Sequence, residues 1–283
     1  MSTTIEPSVP ARADRRPGLG PLLATGAAAG IVGGLAGGGG GIVTVPVLDH
    51  ITTLTRSENH GTSTFVNVFV AVAGVSFYIW RGGHIDVDAG LGMIVGGIIG
   101  APLGARFAKK SSDALLRGIF ITVLVLATID LLAHAAGGGA SRQVAALLPP
   151  APLNDSLAVA FVAGVIGLVV GAWSAAMGLG GGLLAVPALV LLFGREQHVA
   201  EGTSLVIMLP NAIAGAIAHV RQGTASPRLG VIVGLGALVG SILGVGIALH
   251  LETHVLEFAF GALMIVVVVR ESISFRTKYL RDR

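Results

Sequence analysis

The stretch Gly37-Gly38-Gly39-Gly40-Gly41-Ile42-Val43-Thr44-Val45-Pro46-Val47-Leu48 returns 141 residues later as Gly178-Leu179-Gly180-Gly181-Gly182-Leu183-Leu184-Ala185-Val186-Pro187-Ala188-Leu189. In each copy an apolar run leads into glycines, and a proline stands five residues after the last of them. Glycine lets the backbone bend and approach a neighbour closely. At apolar depth such a break is tolerated only where protein buries it or a cavity receives it. Two breaks of the same design therefore read as two halves of one site.

The repeat extends well beyond the motif. At the same offset Gly61-Thr62-Ser63 falls on Gly202-Thr203-Ser204, Gly74 on Gly215 and Gly82 on Gly223; one deletion later, Gly96, Gly100 and Gly104 fall on Gly236, Gly240 and Gly244. A period of this length marks a duplicated structural unit. The doubled small-xxx-small ridges suit close helix contact in lipid, where burying apolar surface supplies no drive.

Composition then settles the class. Hydrophobic residues make up 53% and charged residues 12%, against about 25% charged in an ordinary globular chain. Apolar runs of the ~20 residues needed to span a bilayer recur along the chain. The reading is an all-α polytopic membrane protein of two inverted repeats, each of five apolar segments and each opening with a glycine-tipped, re-entrant helical hairpin. Repeat 1 occupies 19–134, with segments at 19–36, 42–55, 63–80, 88–105 and 114–134; repeat 2 occupies 157–270, with segments at 157–177, 183–194, 203–220, 229–249 and 255–270. Residues 1–18 read as a disordered cytoplasmic tail, 135–156 as an external linker and 271–283 as a second cytoplasmic tail. Ser111, Ser112 and Asp113 are helix-cap candidates before segment five, and Pro227 opens segment nine.

Orientation follows from the basic residues. If the N-terminus is cytoplasmic and ten segments alternate, only Arg81, Arg142 and Arg195 of the 18 lysines and arginines lie outside. Eight crossings would give a weaker split, so the positive-inside bias favours five plus five. Five is odd, which inverts one half relative to the other, the plan of many secondary transporters. Segment 183–194 rises only about 18 Å as a helix, well short of the ~30 Å hydrocarbon core. A hairpin entering and leaving on one side has the same parity as two crossings, and we expect hairpins whose tips meet near the midplane.

At those tips, short helices starting at Ile42 and Leu183 would aim unpaired N–H groups inward, an electropositive spot suited to a small anion. The candidate binding residues are Gly39, Gly40, Gly41, Thr44 and Pro46 in the first break, and Gly180, Gly181, Gly182 and Pro187 in the second. Thr62, Ser63 and Asn67, with Thr203, Ser204 and Asn211, could replace part of an oxyanion's hydration shell; Thr62 and Thr203 could equally be helix N-caps. Asn67 aligns with Met208, not with Asn211. His50, His219, Asp130 and His134 are candidate proton carriers, but each lies near a segment end, where solvated boundary residues are common, and His84, Asp86 and Asp88 read as a solvated outer loop. Arg106 and Arg221 could attract anions from the cytoplasm, but as topology markers they need no further role.

Other functions are disfavoured by what is missing. The chain has no cysteine, hence no disulfide or thiolate chemistry. Gly37–Gly41 is not followed by Gly-Lys-Ser/Thr, so there is no Walker loop. Neither a His-Glu-x-x-His run nor a Gly-x-Ser-x-Gly setting for Ser174 is present. No catalytic residue, cofactor, metal or nucleic-acid partner is expected, and a net charge of +3 needs only topology to explain it.

The two glycine-to-proline motifs, the paired Gly-Thr-Ser triplets, Gly82 to Asp86, and Gly100-Ala101-Pro102-Leu103-Gly104-Ala105-Arg106 together resemble the TauE/SafE sulfite exporter family of membrane permeases, over roughly 20–270. The run of five glycines departs from the more usual interrupted pattern, which Gly178-Leu179-Gly180-Gly181-Gly182 keeps. The resemblance implies a secondary transporter that moves sulfite, an organosulfonate or another small anion across a bacterial inner membrane, with H+ or Na+ as coupling ion and both termini cytoplasmic. An anion channel or a small-carboxylate carrier is the alternative, and an intramembrane enzyme the most distant one.

The topology is directly testable because the chain lacks cysteine. Ser111→Cys should be protected from an impermeant thiol reagent applied outside intact cells, while Ser141→Cys reacts; equal or reversed labelling would end the five-plus-five arrangement.

Overall fold

A computed structural model describes residues 17–107, 118, 121–122, 124–129, 132 and 156–279. Ser111, Ser112, Asp113, Asp130, His134 and the linker therefore lie outside the described residues. The described residues contain helices and no strand. In chain order these are α1 (Leu19–Leu35), α2 (Gly41–Ile51), α3 (Arg56–Trp80), α4 (Val87–Phe107), α5 (Ser156–Met177), α6 (Gly182–Leu191), α7 (Gln197–Arg221), α8 (Pro227–His250) and α9 (Thr253–Tyr279). Residues 124–129 are also helical. Among the described residues, α3, α4, α5, α7, α8 and α9 are each long and apolar enough to cross a membrane. The chain is an all-helical polytopic membrane protein.

The short helices are the informative ones. α2 has 11 residues and α6 has 10, which is about 15–17 Å of helix, half of a hydrocarbon core. Neither crosses on its own. α3 begins seven residues before the predicted apolar segment at 63, and α7 six before the one at 203. Polar side chains open both helices, so hydropathy alone placed their starts too late. For α3 the start is a capping box: Thr55 accepts from the Glu58 N–H, and Glu58 Oε2 accepts from the Thr55 N–H at 2.7 Å. Thr62 and Thr203 consequently lie two turns inside helices and cap neither. Pro227 does open α8.

The halves are interleaved. α1 packs most extensively on α8, and α5 on α4, each pair joining one half to the other. The glycine ridges make this possible. Gly96, Gly100 and Gly104 face the backbone carbonyls of Gly164, Leu168 and Ala172, while Gly236, Gly240 and Gly244 face those of Leu23, Ala27 and Ile31. Returning contacts come from Gly26, Gly30 and Gly34 against Val233, Ala237 and Ser241. Backbone meets backbone along both seams, with no room for a Cβ. Such approach gains van der Waals contact and short Cα–H···O geometry where apolar burial offers nothing. Two apolar cores flank the centre, one built around α5, α6 and α9, the other around α3 and α8.

Gly100→Leu and Gly240→Leu should both damage folding, because the new side chain meets the carbonyl of Leu168 or of Ala27 and backbone cannot yield. Reduced membrane yield and a lower Tm in detergent are expected; normal values for both variants would show that the ridges do not set helix approach.

Candidate functional site

Both helix breaks are built the same way. α1 ends on Ala36, and Gly37 then takes φ +57° while the Gly38 N–H reaches back to Gly33 O at 3.0 Å, a Schellman termination. α5 ends at Met177, and Gly178 takes φ +64° with its N–H on Ser174 O at 2.9 Å. A second left-handed glycine follows in each loop, Gly39 at +82° and Gly180 at +84°. These angles strain any residue with a Cβ. α2 and α6 then start from Gly40 and Gly181 as N-caps, whose carbonyls accept from Thr44 N and Ala185 N, both at 2.9 Å.

The two loops press directly on one another. A side chain at Gly41 would run into Gly178 and Leu179, one at Gly182 into Gly37 and Gly38, and one at Gly180 into Gly38 and Gly39. The hydroxyls from the Gly-Thr-Ser triplets lock this meeting across the halves. Ser63 Oγ donates to Gly178 O at 2.6 Å, and Ser204 Oγ donates to Gly37 O at 2.8 Å. Thr203 Oγ1 accepts from the N–H of Asp86, just before α4, and Thr62 Oγ1 accepts from the N–H of Ser226, the N-cap of α8. Every one of these bonds has its mate at the equivalent position, and all four hydroxyls are buried.

The symmetry fails at the centre. Asn67 Oδ1 accepts from the Gly40 N–H at 2.9 Å, whereas Met208 occupies the equivalent place in the second half. A side chain at Gly39 would meet Asn67 Oδ1, Gly180 Cα and Met208 Sδ, each 3.0 Å away. The middle of the site is thus glycine backbone with an amide on one side and a thioether on the other. Gly40 and Gly181 also differ: a Cβ at Gly40 would strike Ala29, but one at Gly181 would find only Val170 Cγ1 at 3.5 Å and Ser174 at 3.8 Å. Thr44 Oγ1 bonds back to Gly40 O at 3.0 Å. Pro46 and Pro187 sit inside α2 and α6 and leave the carbonyls of Ile42 and Leu183 without their helical donor. Arg270 of α9 donates to the first of these at 3.4 Å.

Asn211 is not brought to the loops. It lies on α7 against Gly97 of α4, buried, and neither end of its amide has a hydrogen-bond partner. Other readings from the sequence change. His219 is no solvated boundary residue: it is 2% exposed, its ring nitrogens lying 2.8 Å from Ala175 O and 2.9 Å from Thr224 Oγ1. Asp86 is also not free in solvent, since it pairs with Arg195 at 2.5 Å with 8% of its side chain exposed. His50 is exposed, as a boundary residue should be. Sequence reasoning missed Glu201, 3% exposed on α7, whose Oε1 accepts from Gln197 Nε2 at 2.8 Å and whose backbone lies against Gly37. The equivalent residue beside Gly178 is His60. An acid immediately before Gly-Thr-Ser was the available signal.

Comparison with known proteins gives a consistent answer. A family model described as sulfite exporter TauE/SafE matches residues 3–131 and 163–281. The probable membrane transporter protein YunE of Bacillus subtilis is 29% identical over 268 residues, covering 87% of this chain and 94% of that protein. A probable membrane transporter protein of Xylella fastidiosa is 25% identical over 254 residues, covering 88% and 94%. No solved structure matches.

The packing separates neighbouring glycines. Gly182→Ala should destabilise the protein by about 3 kcal/mol or more, at the top of the overpacking range, because both colliding groups are backbone. Gly181→Ala should cost about 1 kcal/mol or less, the difference between these residues at an N-cap. Thermal unfolding in detergent compares them, and equal losses would mean that the loops do not touch as described.

Proposed function

We propose that this chain, which belongs to the TauE/SafE sulfite exporter family, is a membrane transporter that carries a small anion, sulfite or an organosulfonate, between its two glycine loops. The observation that carries this reading is the bond from the Gly40 N–H to Asn67 Oδ1. There, at the start of a broken helix, an amide oxygen takes the place that an anion's oxygen would take. Besides Arg270, whose guanidinium reaches the Ile42 carbonyl, the donors that the described residues bring to the loops are backbone N–H groups and the Asn67 amide, which turns its nitrogen or its oxygen as the partner demands. Hydrogen bonds of this kind replace hydration without holding the anion too tightly to release.

In this conformation the loops touch, so an anion passes only when they part. Reciprocal latches from Ser63 and Ser204 hold the contact, and the motion that parts it is one repeat rocking on the other, the alternating-access scheme of inverted-repeat carriers. The short, proline-bearing α2 and α6 are the elements free to follow it. Inverted halves with both termini cytoplasmic in a bacterial inner membrane complete the reading. Glu201 is our candidate for proton coupling, because a buried carboxyl in a membrane-spanning helix is a site where a proton can be taken up and released. Tyr78, whose ring lies against Gly202, and the Gln197 amide face it, and the Asp86–Arg195 pair stands near the start of α7.

Sulfite flux into proteoliposomes tests both parts. Asn67→Asp keeps the acceptor for the Gly40 N–H, so the fold survives, but it sets a carboxylate where the anion should sit. Two like charges ~4 Å apart at an effective dielectric near 20 repel by about 4 kcal/mol, so flux should fall on the order of 100-fold or more. Glu201→Gln should retain downhill flux and lose its dependence on a pH gradient. Wild-type flux through Asn67→Asp would remove the anion from the loops; gradient-driven flux through Glu201→Gln would remove the proton from Glu201.

A further inference from the structure

The reciprocity of the fold makes two seams equivalent, α4 on α7 and α8 on α3, yet they are chemically unlike. In the α8–α3 seam, Phe77 and Trp80 set their rings 5.6 Å apart, and the Phe77 ring fills the space over Gly246. Deeper in, Ser241 Oγ donates to Val70 O at 2.8 Å. There the Phe77 ring closes the seam and the Ser241 hydroxyl is bonded, while Trp80 at the end of α3 stands 75% exposed.

In the α4–α7 seam the residues equivalent to Phe77, Trp80 and Gly246 are Ala218, Arg221 and Arg106. Bulk has gone and two cations have come in. A cavity of 190 Å³ opens there, lined by both arginines together with Pro102, Ala214, Ala218 and Gln222 among others. The equivalent of Val70 is Asn211, and the equivalent of Ser241 is Ala101, which offers no hydroxyl. Asn211 is 4% exposed, unbonded at both amide atoms and turned onto Gly97 of α4. Spaced at three and four residues, Asn211, Ala214, Ala218 and Arg221 share one face of α7. Both helices of this seam also contain a proline, Pro102 and Pro210, where the other seam has Ile242 and Phe69. Each proline releases the carbonyl four residues before it from the helix ladder.

Arginines at helix ends can be explained by membrane topology alone. Topology does not ask two of them to line one cavity, nor does it leave an unpaired amide buried further along the same helix face. An unsatisfied buried amide lowers stability, so a polar partner, an ordered water or a ligand, is expected beside it. Small oxyanions fit: guanidinium groups attract them, the amide Nδ2–H offers donors, and cations are repelled at the mouth.

We propose that the α4–α7 seam is an anion-access vestibule, with Arg106 and Arg221 at its mouth and Asn211, outside the cavity lining and one helical turn beyond Ala214, as the next donor inward. The glycine-loop reading is not required for it.

The test uses the full chain in permeabilised membranes and exploits the absence of native cysteine. Ala218→Cys and Ala214→Cys are modified with two methanethiosulfonates of similar size, the anionic sulfonatoethyl and the cationic trimethylammonioethyl forms, each rate being normalised to a free thiol in solution. Both positions should favour the anionic reagent by at least about tenfold, within the range that focused fields produce. Phe77→Cys in the filled seam should show no such preference. Adding Arg106→Gln with Arg221→Gln should bring the ratio close to one, and Asn211→Val should slow anionic modification at Ala214→Cys severalfold while sparing Ala218→Cys. A ratio near one with both arginines present, or an anionic preference that survives their removal, would overturn the vestibule. Unchanged rates in Asn211→Val would overturn the role of Asn211.

Discussion

A backbone group that leaves a helix inside a bilayer has no water to turn to, and this fold is arranged around meeting that demand twice. The carbonyl of Gly37, exposed where α1 stops, is held by Ser204 from the other half, and the carbonyl of Gly178 is held by Ser63. The Gly40 N–H goes to Asn67, and the carbonyl that Pro46 orphans goes to Arg270. Each break is stable only because another element completes it. Neither half is expected to hold its broken helices alone.

That mutual dependence explains the helix order. For the loops to touch, α1 must lie along α8 and α5 along α4, close enough that carbonyls of one helix fill the glycine ridges of the next. The seams and the loops are one construction. Lipid gives no reward for apolar burial between helices, so small residues and backbone contact have to supply the cohesion.

Duplication kept the latches and altered the chemistry around them. The serine, threonine and glycine positions are matched pair by pair, whereas Asn67 faces Met208, His60 matches Glu201 and Tyr78 matches His219. The α4–α7 seam gained Arg106, Arg221 and Asn211 where its mate has Gly246, Trp80 and Val70. The frame is symmetric, and the polar groups carried on it are not.

Much of this was legible in the chain itself. Hydropathy gave the membrane class, and self-comparison gave the repeat, its matched glycines and most helix limits, because segment length, apolar runs and glycine breaks are local properties. Local signals failed where a polar turn was helical, as at Arg56–Thr62 and Gln197–Thr203, since helix formation there depends on caps and tertiary bonds that hydropathy does not weigh. They also failed to rank equivalent residues. Gly40 and Gly181 look alike in sequence, yet Ala29 crowds one and open space adjoins the other. Asn67 and Asn211 read as candidate ligands of one site although they do not align; only tertiary packing put the first at the loops and the second, unbonded, against Gly97. Composition and period determine that such a chain folds as paired broken helices in a membrane, but which polar group meets which partner depends on contacts between residues more than a hundred positions apart.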